Sequence, residues 1–330
     1  MKTNISTIRR AVVLGAASLL MANAGAQTAA SFPDKPITIV VPYPAGTLGD
    51  IMVRTLGNEL TQALKQPIIV DNRPGAGEVI GANFLHSSPA NGYTLMSTLV
   101  PNVISSSIQA KLPYKSIGDF TVVSKIASLS GALAIAPQVP ASNLKEFVAL
   151  LKAKPDGMSY ASAGLGSANH LGAALFSKMT DTRAVHVPFR SIQQVVLELS
   201  SGRVDYAFLP VSVAAQFGKE GKVKVLGGQL LQRYADQPTM PTLDEQGIKG
   251  YDSPITYFLI APKGMPAPIV EKLNQAINTA MASESYATKM RGIGGVVIPK
   301  PMSSAEATTL AVQEETRWRN LVKELNIVLE

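Results

Sequence analysis

The 330-residue sequence predicts an α/β protein built as two lobes. Apolar, strand-like runs alternate with helical ones along most of the chain, a pattern that gives a parallel sheet covered by helices on both faces. The alternation comes as two series joined by the apolar segments VVSKIASLSGALAIAP and ITYFLIAP, so the chain passes between lobes more than once. With 46% hydrophobic residues, a chain of this length has enough apolar surface for two cores.

The chain opens MKTNISTIRRAVVLGAASLLMANAGAQ, with cations at Lys2, Arg9 and Arg10, an apolar run from Ala11 to Met21, and small residues after it. Ala24 and Ala26 form an A-x-A site, with Ala22 and Ala24 one register earlier, so residues 1–26 read as a signal peptide cut after Ala26. Its apolar run is about half the roughly 20 residues that span a bilayer. The Arg9-Arg10 pair leaves a twin-arginine route open, although its surroundings suit general secretion better.

In the first series the strand PITIVV leads through VPYPAGTLGD into a helix over Asp50–Gln66, with Ile51, Met52, Leu56, Leu60, Ala63 and Leu64 on one face. PIIVDN, the glycine-bearing NRPGAGEVIGANF and the strand YTLMST follow, then an irregular stretch from Asn102 to Phe120. The second series reads helix Asn143–Lys154, strand MSYASA, helix Ser167–Met179, strand AVHVPF, helix Ile192–Ser200, and strands VDYAFL and VKVLGG. After ITYFLIAP come a helix over PAPIVEKLNQAINTAMA and a last one from Ser304; periodicity does not say which lobe owns them.

Charge and composition narrow the function. The formal charge of +7 falls to +4 once the three leader cations are removed, and no run of five basic residues occurs, which argues against nucleic-acid binding. With no cysteine, disulfides, thiol catalysis and a lipid-modified N-terminal Cys are excluded. A bacterial periplasm fits these facts.

Two loops have the chemistry of an anion site. In Ala45-Gly46-Thr47-Leu48-Gly49-Asp50 a strand ends in a glycine turn and a helix starts at once, so backbone N–H groups and the positive dipole end point outward. Asp50 is expected at the helix N-cap, or as partner to an amino group. SAGLGSANHL repeats the device: Gly164 and Gly166 open the backbone, and Ser167 caps the helix or binds a carboxylate. His170 reads as a core or capped histidine, since His86 and His186 stand at no metal-ligand spacing from it.

Enzyme readings fare worse. Gly75, Gly77 and Gly81 imitate a dinucleotide fingerprint, but no acid lies between Glu78 and Asp119 to hold a ribose, so no cofactor is expected. Ser142 to Lys145 is an S-x-x-K, yet no K-T-G and no G-x-S-x-G accompany it, so a hydrolase remains the remote alternative.

FPDKPITIVVPYPAGTLGD, QPIIVDNRPGAG with IGA after it, PANGYTLM, MSYASAGLGSANHL, AVHVPF, GRVDYAF, MPTLDEQG and a C-terminal ETRW together resemble the Bordetella uptake gene (Bug) family across the whole mature chain. These are solute-binding proteins of tripartite tricarboxylate transporters. The resemblance implies a Venus flytrap, the two-lobed periplasmic-binding-protein fold with a ligand cleft between lobes. Lobe 1 would hold residues 27–128 plus 253–330 and lobe 2 residues 129–252. It further implies a small carboxylated solute, aliphatic dicarboxylate or aromatic acid, delivered by a monomer to membrane permease subunits without catalysis. A sensor or chemoreceptor role is the alternative. Carried over by position, the binders are Tyr43, Ala45, Gly46, Thr47 and Leu48 in the first loop and Ala163, Gly164, Gly166, Ser167 and His170 in the second. Where the family has Gly-Gly-Thr-Asp, this chain has Thr47-Leu48-Gly49-Asp50, and where it has H-V-P-Y-K-G-G, His186 to Ile192 reads HVPFRSI. Leu48 and Phe189 are therefore expected as apolar walls, and Arg190 at the cleft mouth as reader of a second carboxylate.

Overall fold

The computed structural model describes residues 31–100, 112–129, 131–234, 236–293 and 295–325. The leader with its cleavage site, and residues 102–111 of the irregular stretch, lie outside the described residues. Two sheets organise the rest. The first has the order β11-β4-β10-β3-β1-β2, from β1 (Ile37–Val41), β2 (Ile68–Asn72), β3 (Thr94–Leu99), β4 (Phe120–Leu129), β10 (Ile255–Pro262) and β11 (Val296–Val297). The second runs β7-β6-β8-β5-β9, from β5 (Gly131–Ile135), β6 (Ser159–Ser162), β7 (Val185–Pro188), β8 (Tyr206–Pro210) and β9 (Lys224–Gly228).

Neither sheet is purely parallel, which corrects the sequence expectation. β1 pairs in parallel with β2 and β3, but β10 runs antiparallel to β3 and β4. β6 is parallel to β7 and β8, whereas β5 is antiparallel to β8 and β9. In the first sheet β10 and β11 run against the other four strands, and in the second β5 runs against the rest; β5 and β10 are the apolar segments on which the chain enters from the other sheet. A strand arriving from the other sheet enters from the opposite edge to one delivered by a βα crossover. The run VVSKIASLSGALAIAP thus splits, β4 ending at Leu129 and β5 starting at Gly131 in the other sheet.

That one-residue link places the functional edges. Leu129 pairs with Ile255, and Tyr257 with Leu99, so the end of β4 lies at the carboxyl edge of β1 and β3. Gly131 pairs with Pro210, at the carboxyl end of β8. Two Cα steps span at most about 7 Å. The carboxyl edges of the two sheets therefore face each other. At this crossing the Gln229 N–H donates to Gly131 O and the Ser253 N–H to Gln229 O, both at 2.9 Å. A Cβ on Gly131 would stand 2.6 Å from Gln229 Cδ, so any larger residue there would have to displace the end of the Gln229 side chain.

Nine helices are defined among the described residues. The first, α1 (Leu48–Leu64), starts and ends two residues earlier than its periodicity suggests. It buries Met52, Val53, Leu56 and Leu60, while Ile51 is 41% exposed and Ala63 faces solvent, because the buried stripe is narrower than the apolar pattern. Helices α2 (Val79–His86), α6 (Val211–Lys219) and α8 (Glu284–Ile293) escape the sequence reading. α3 (Leu144–Ala153), α4 (Ala168–Thr180), α5 (Ile192–Ser200), α7 (Ala267–Met281) and α9 (Ser304–Glu324) agree with it to within a residue or two.

Each sheet has its own core, and α9 joins them. Its Ala307, Ala311, Trp318 and Val322 share an apolar cluster with Val40, Met96 and Phe258 of the first sheet, and also with Leu171 and Ala174 of α4. Lys178 of α4 pairs with Glu324, and Arg317 donates to the Asp252 carbonyl. The helix whose ownership periodicity left open touches both lobes.

Candidate functional site

At the carboxyl end of β1, Thr47 is the N-cap of α1 with extended backbone, but its side chain makes no capping bond. Its hydroxyl donates instead to Pro44 O at 2.9 Å. The first-turn amides keep the open hydrogens that every helix leaves at its amino end. Asp50, expected as the cap, sits a turn inside and is 2% exposed. Its carboxylate accepts from the Gly46 N–H at 2.8 Å, from Asn72 Nδ2 at 2.8 Å and from Arg54 Nε at 3.0 Å. Asn72 Nδ2 also reaches Tyr43 O at 3.0 Å. Burial opposes ionisation of Asp50, but Arg54, Asn72 and the Gly46 N–H outweigh it and hold the acid below its ordinary value. Asp50 therefore locks the turn from beneath and is not available to a ligand amine.

Under the same turn lies a group that sequence reading passed over. Glu78, 3% exposed, has φ 77° and ψ −5°, the left-handed region where an L side chain costs about 1 kcal/mol. The Tyr43 hydroxyl donates to one carboxylate oxygen and Thr98 Oγ1 to the other at 2.6 Å. Tyr43 also meets the Tyr257 ring edge-on, centroids 6.0 Å apart. Burial, then the Glu78 charge and Tyr257, push the Tyr43 phenol well above its ordinary value, so it stays protonated. Only the strand pairing brings 43, 78, 98 and 257 together. The one hint in the sequence was an acid where a glycine-rich turn continues.

In the second lobe the turn follows β6. Gly164 and Gly166 have φ 121° and 71°, and Ser167 caps α4 by accepting from the His170 N–H at 3.4 Å while donating to Gly164 O at 2.6 Å. Several amides here already have partners: Gly166 N–H donates to His170 Nδ1 at 3.0 Å, Gly164 N–H to Ser162 Oγ at 3.2 Å, and Ala163 N–H to Asn169 Oδ1 at 3.4 Å. These glycines shape the turn, leaving the first-turn amides of Ala168 and Asn169 as outward donors. His170 is 3% exposed and stacks on His186, centroids 4.0 Å apart and planes 12° from parallel, with Tyr160 stacked against both. His186 Nε2 lies 2.6 Å from Ser162 Oγ. Burial, and for His170 also the neighbouring ring, lower their pKa values to about 3 and about 4, so both are neutral.

The parallel β6–β7 pairing also delivers Phe189, whose N–H donates to Ser162 O at 2.8 Å. Phe189 packs half-buried on the second core. Arg190 is exposed, its N–H bonded to Gln194 Oε1 at 3.0 Å just before the cap of α5. In the first turn Ala45 and Gly46 are exposed, while Leu48 leans half-buried on the first core. The expected residues thus divide into two clusters at the facing edges, joined by Glu78, Asn72, Thr98, Tyr257, Ser162 and His186. Ser142 of the S-x-x-K precedes the cap Asn143, and its N–H bonds Glu146 at 2.7 Å, a helix-start arrangement. Two open grooves of about 380 and 500 Å³ lie along α6 and touch neither cluster.

Residues 52–327 match the model of the tripartite tricarboxylate transporter family receptor, TctC. The chain is 32% identical to a UPF0065 protein of Pseudomonas sp., over 98% of this chain and 97% of that one. It is 29% identical to the protein BugT of Bordetella pertussis, over 92% and 93% respectively. Among solved structures it is similar to R. palustris Rpa4515 with adipate, at TM-score 0.79 and 26% identity, covering 90% of this chain and 99% of that one. MatC from Rhodopseudomonas palustris with bound malate gives 0.76 and 29%, covering 88% and 100%. The periplasmic binding protein BugD gives 0.76 and 25%, covering 90% and 99%. Two mixed sheets with facing carboxyl edges, each bearing a strand-turn-helix loop, are the two-lobed periplasmic-binding-protein fold. With the family match over most of its length, the chain belongs to the TctC/Bug family of periplasmic solute-binding proteins.

Proposed function

We propose that this protein captures a small carboxylated organic acid between its two lobes in the periplasm and delivers it to a tripartite tricarboxylate transporter-type permease. The observation that carries the reading is the pair of helix amino ends, of α1 and α4, at facing sheet edges with their first-turn amides outward. The adipate and malate in two neighbours support a carboxylate as occupant. In this reading Tyr43, Ala45, Gly46, Thr47 and Leu48 line one wall and Ala163, Gly164, Gly166, Ser167, His170 and Phe189 the other, with Arg190 reading a second acid group. The lobes are residues 27–128 plus 253–330 and 129–252, and the leader is removed after Ala26. The solute leaves unchanged.

A thermal-shift screen of aliphatic dicarboxylates and aromatic acids tests this. A ligand at 100 times its dissociation constant stabilises the fold by about 2.7 kcal/mol, and Arg190→Ala should weaken a dicarboxylate about tenfold with little change for its monoacid. No shift with any acid, or conversion of a bound one into product, would sink the proposal.

A further inference from the structure

We infer that Leu165 is a positioning residue: it keys the acid-binding turn of the second lobe onto the apolar cluster of the first sheet, and so sets how firmly the two walls close on any acid. The inference rests on the carboxylate reading above and adds to it a residue that the proposed walls leave out. Leu165 stands in the turn after β6 between Gly164 and Gly166, both at positive φ, and its side chain is half-buried.

What it packs against decides its role. Leu48 of the first turn leans on the first core and Phe189 beside the second turn leans on the second, so each supports its own lobe. Leu165 instead packs on the cluster that contains Val40 of β1, Met96 of β3, Phe258 and Ile260 of β10 and Trp318 of α9. Leu171 and Ala174, in the first two turns of α4, belong to the same cluster. The turn and the helix whose amino end faces the acid therefore both rest on the first sheet. On that side α9 is held firmly: Ser304 Oγ donates to Val122 O at 2.6 Å, Thr256 Oγ1 to Glu314 at 2.6 Å, and the Ile117 N–H to Glu315 at 3.1 Å.

A turn supported only by its own lobe would follow that lobe freely when the cleft opens. This one must also lose apolar contact with the other lobe. Apolar burial has no direction and grows with the area covered, so it favours approach of the walls without choosing among ligands. A ligand that needs both walls binds with an apparent affinity reduced by the fraction of molecules in the closed form. Weakening the Leu165 contact therefore lowers the affinity for every acid by one common factor, whereas a polar wall residue discriminates between acids.

Calorimetry on the mature protein with malate, adipate and benzoate tests this, together with the emission of Trp318, the single tryptophan of the sequence and a member of the cluster under Leu165. Leu165→Ala should weaken each acid that wild type binds by about fivefold, the same factor for all of them. Leu165→Met keeps the volume and should retain wild-type affinity, with Leu165→Val between the two. Acid should change the Trp318 emission of wild type, and the midpoint of that change should move by the same factor in Leu165→Ala. If the alanine variant does not melt cooperatively, the valine and methionine variants decide by their order. Wild-type affinity in the folded truncated variants, a loss confined to one acid, or an emission indifferent to bound acid overturns the inference and leaves the carboxylate reading standing. Failure of every acid to bind wild type overturns the carboxylate reading itself, and this inference with it.

Discussion

The turn after β1 and the turn after β6 both leave a buried strand, both bring positive-φ glycines to the amino end of a helix, and both are supported from beneath by buried polar side chains. Under the first stand two acids, Asp50 and Glu78, with hydroxyls and Arg54 around them. Under the second stand two neutral, stacked imidazoles and a serine. One backbone device thus rests on an ionised Asp50 in one lobe and on uncharged imidazoles in the other. The lobes should therefore fail under different conditions.

The largest expected separation is in acid. His170 and His186 carry pKa values near 3 and near 4 in the fold, against an ordinary 6.5. Between those limits the unfolded chain binds protons that the folded chain refuses, so their contribution is full above pH 6.5 and is lost as pH falls towards 4. Two such groups give a slope of roughly 2.7 kcal/mol per pH unit, on the order of 3 kcal/mol between pH 6.5 and 5 after allowance for partial exposure. Protonating His170 Nδ1 also removes the acceptor of the Gly166 N–H. Asp50, with its lowered pKa, keeps its contribution throughout this window and loses it only below its ordinary 3.8. Melting as a function of pH should show the decline below 6.5, flattened in His170→Gln/His186→Asn. An unchanged profile in that double variant would erase the distinction.

Asp50→Ala comes next. It strands the Gly46 N–H, Asn72 Nδ2 and Arg54 at once, and should cost about 3 kcal/mol. Asp50→Asn retains an acceptor and should cost about half of that. Urea denaturation measures both, and a loss under about 1 kcal/mol for the alanine variant would mean that the network does not hold the loop.

The smallest effect compares the caps. Ser167 accepts from the His170 N–H and Thr47 makes no such bond. Ser167→Ala should lower stability by about 1 kcal/mol and Thr47→Ala by less than about 0.5. Equal losses in the same denaturation experiment would show that the hydroxyl-to-carbonyl bonds, which both residues make, matter more than capping.

Much of this molecule is visible in one dimension. The strand-turn-helix loops at Tyr43–Asp50 and Ser162–His170 follow from an apolar run, glycines and a helical stripe in succession, all local signals. The role of Asp50 was misread because cap and first-turn positions differ by only three residues, and which one holds the acid depends on Asn72 arriving from β2 to join Arg54 of the same helix.

From local pattern alone came two βα series and the two strand-turn-helix loops, because each depends on neighbours in the chain. The antiparallel entry of β10 and the one-residue crossing at 129–131 were settled by tertiary structure, since they depend on which edge a strand enters. So were the His170–His186 stack, across 16 positions, and the buried convergence of Tyr43, Glu78, Thr98 and Tyr257. A buried polar group takes its meaning from the partners that satisfy it, and here those partners lie on strands that only the folded sheet makes adjacent.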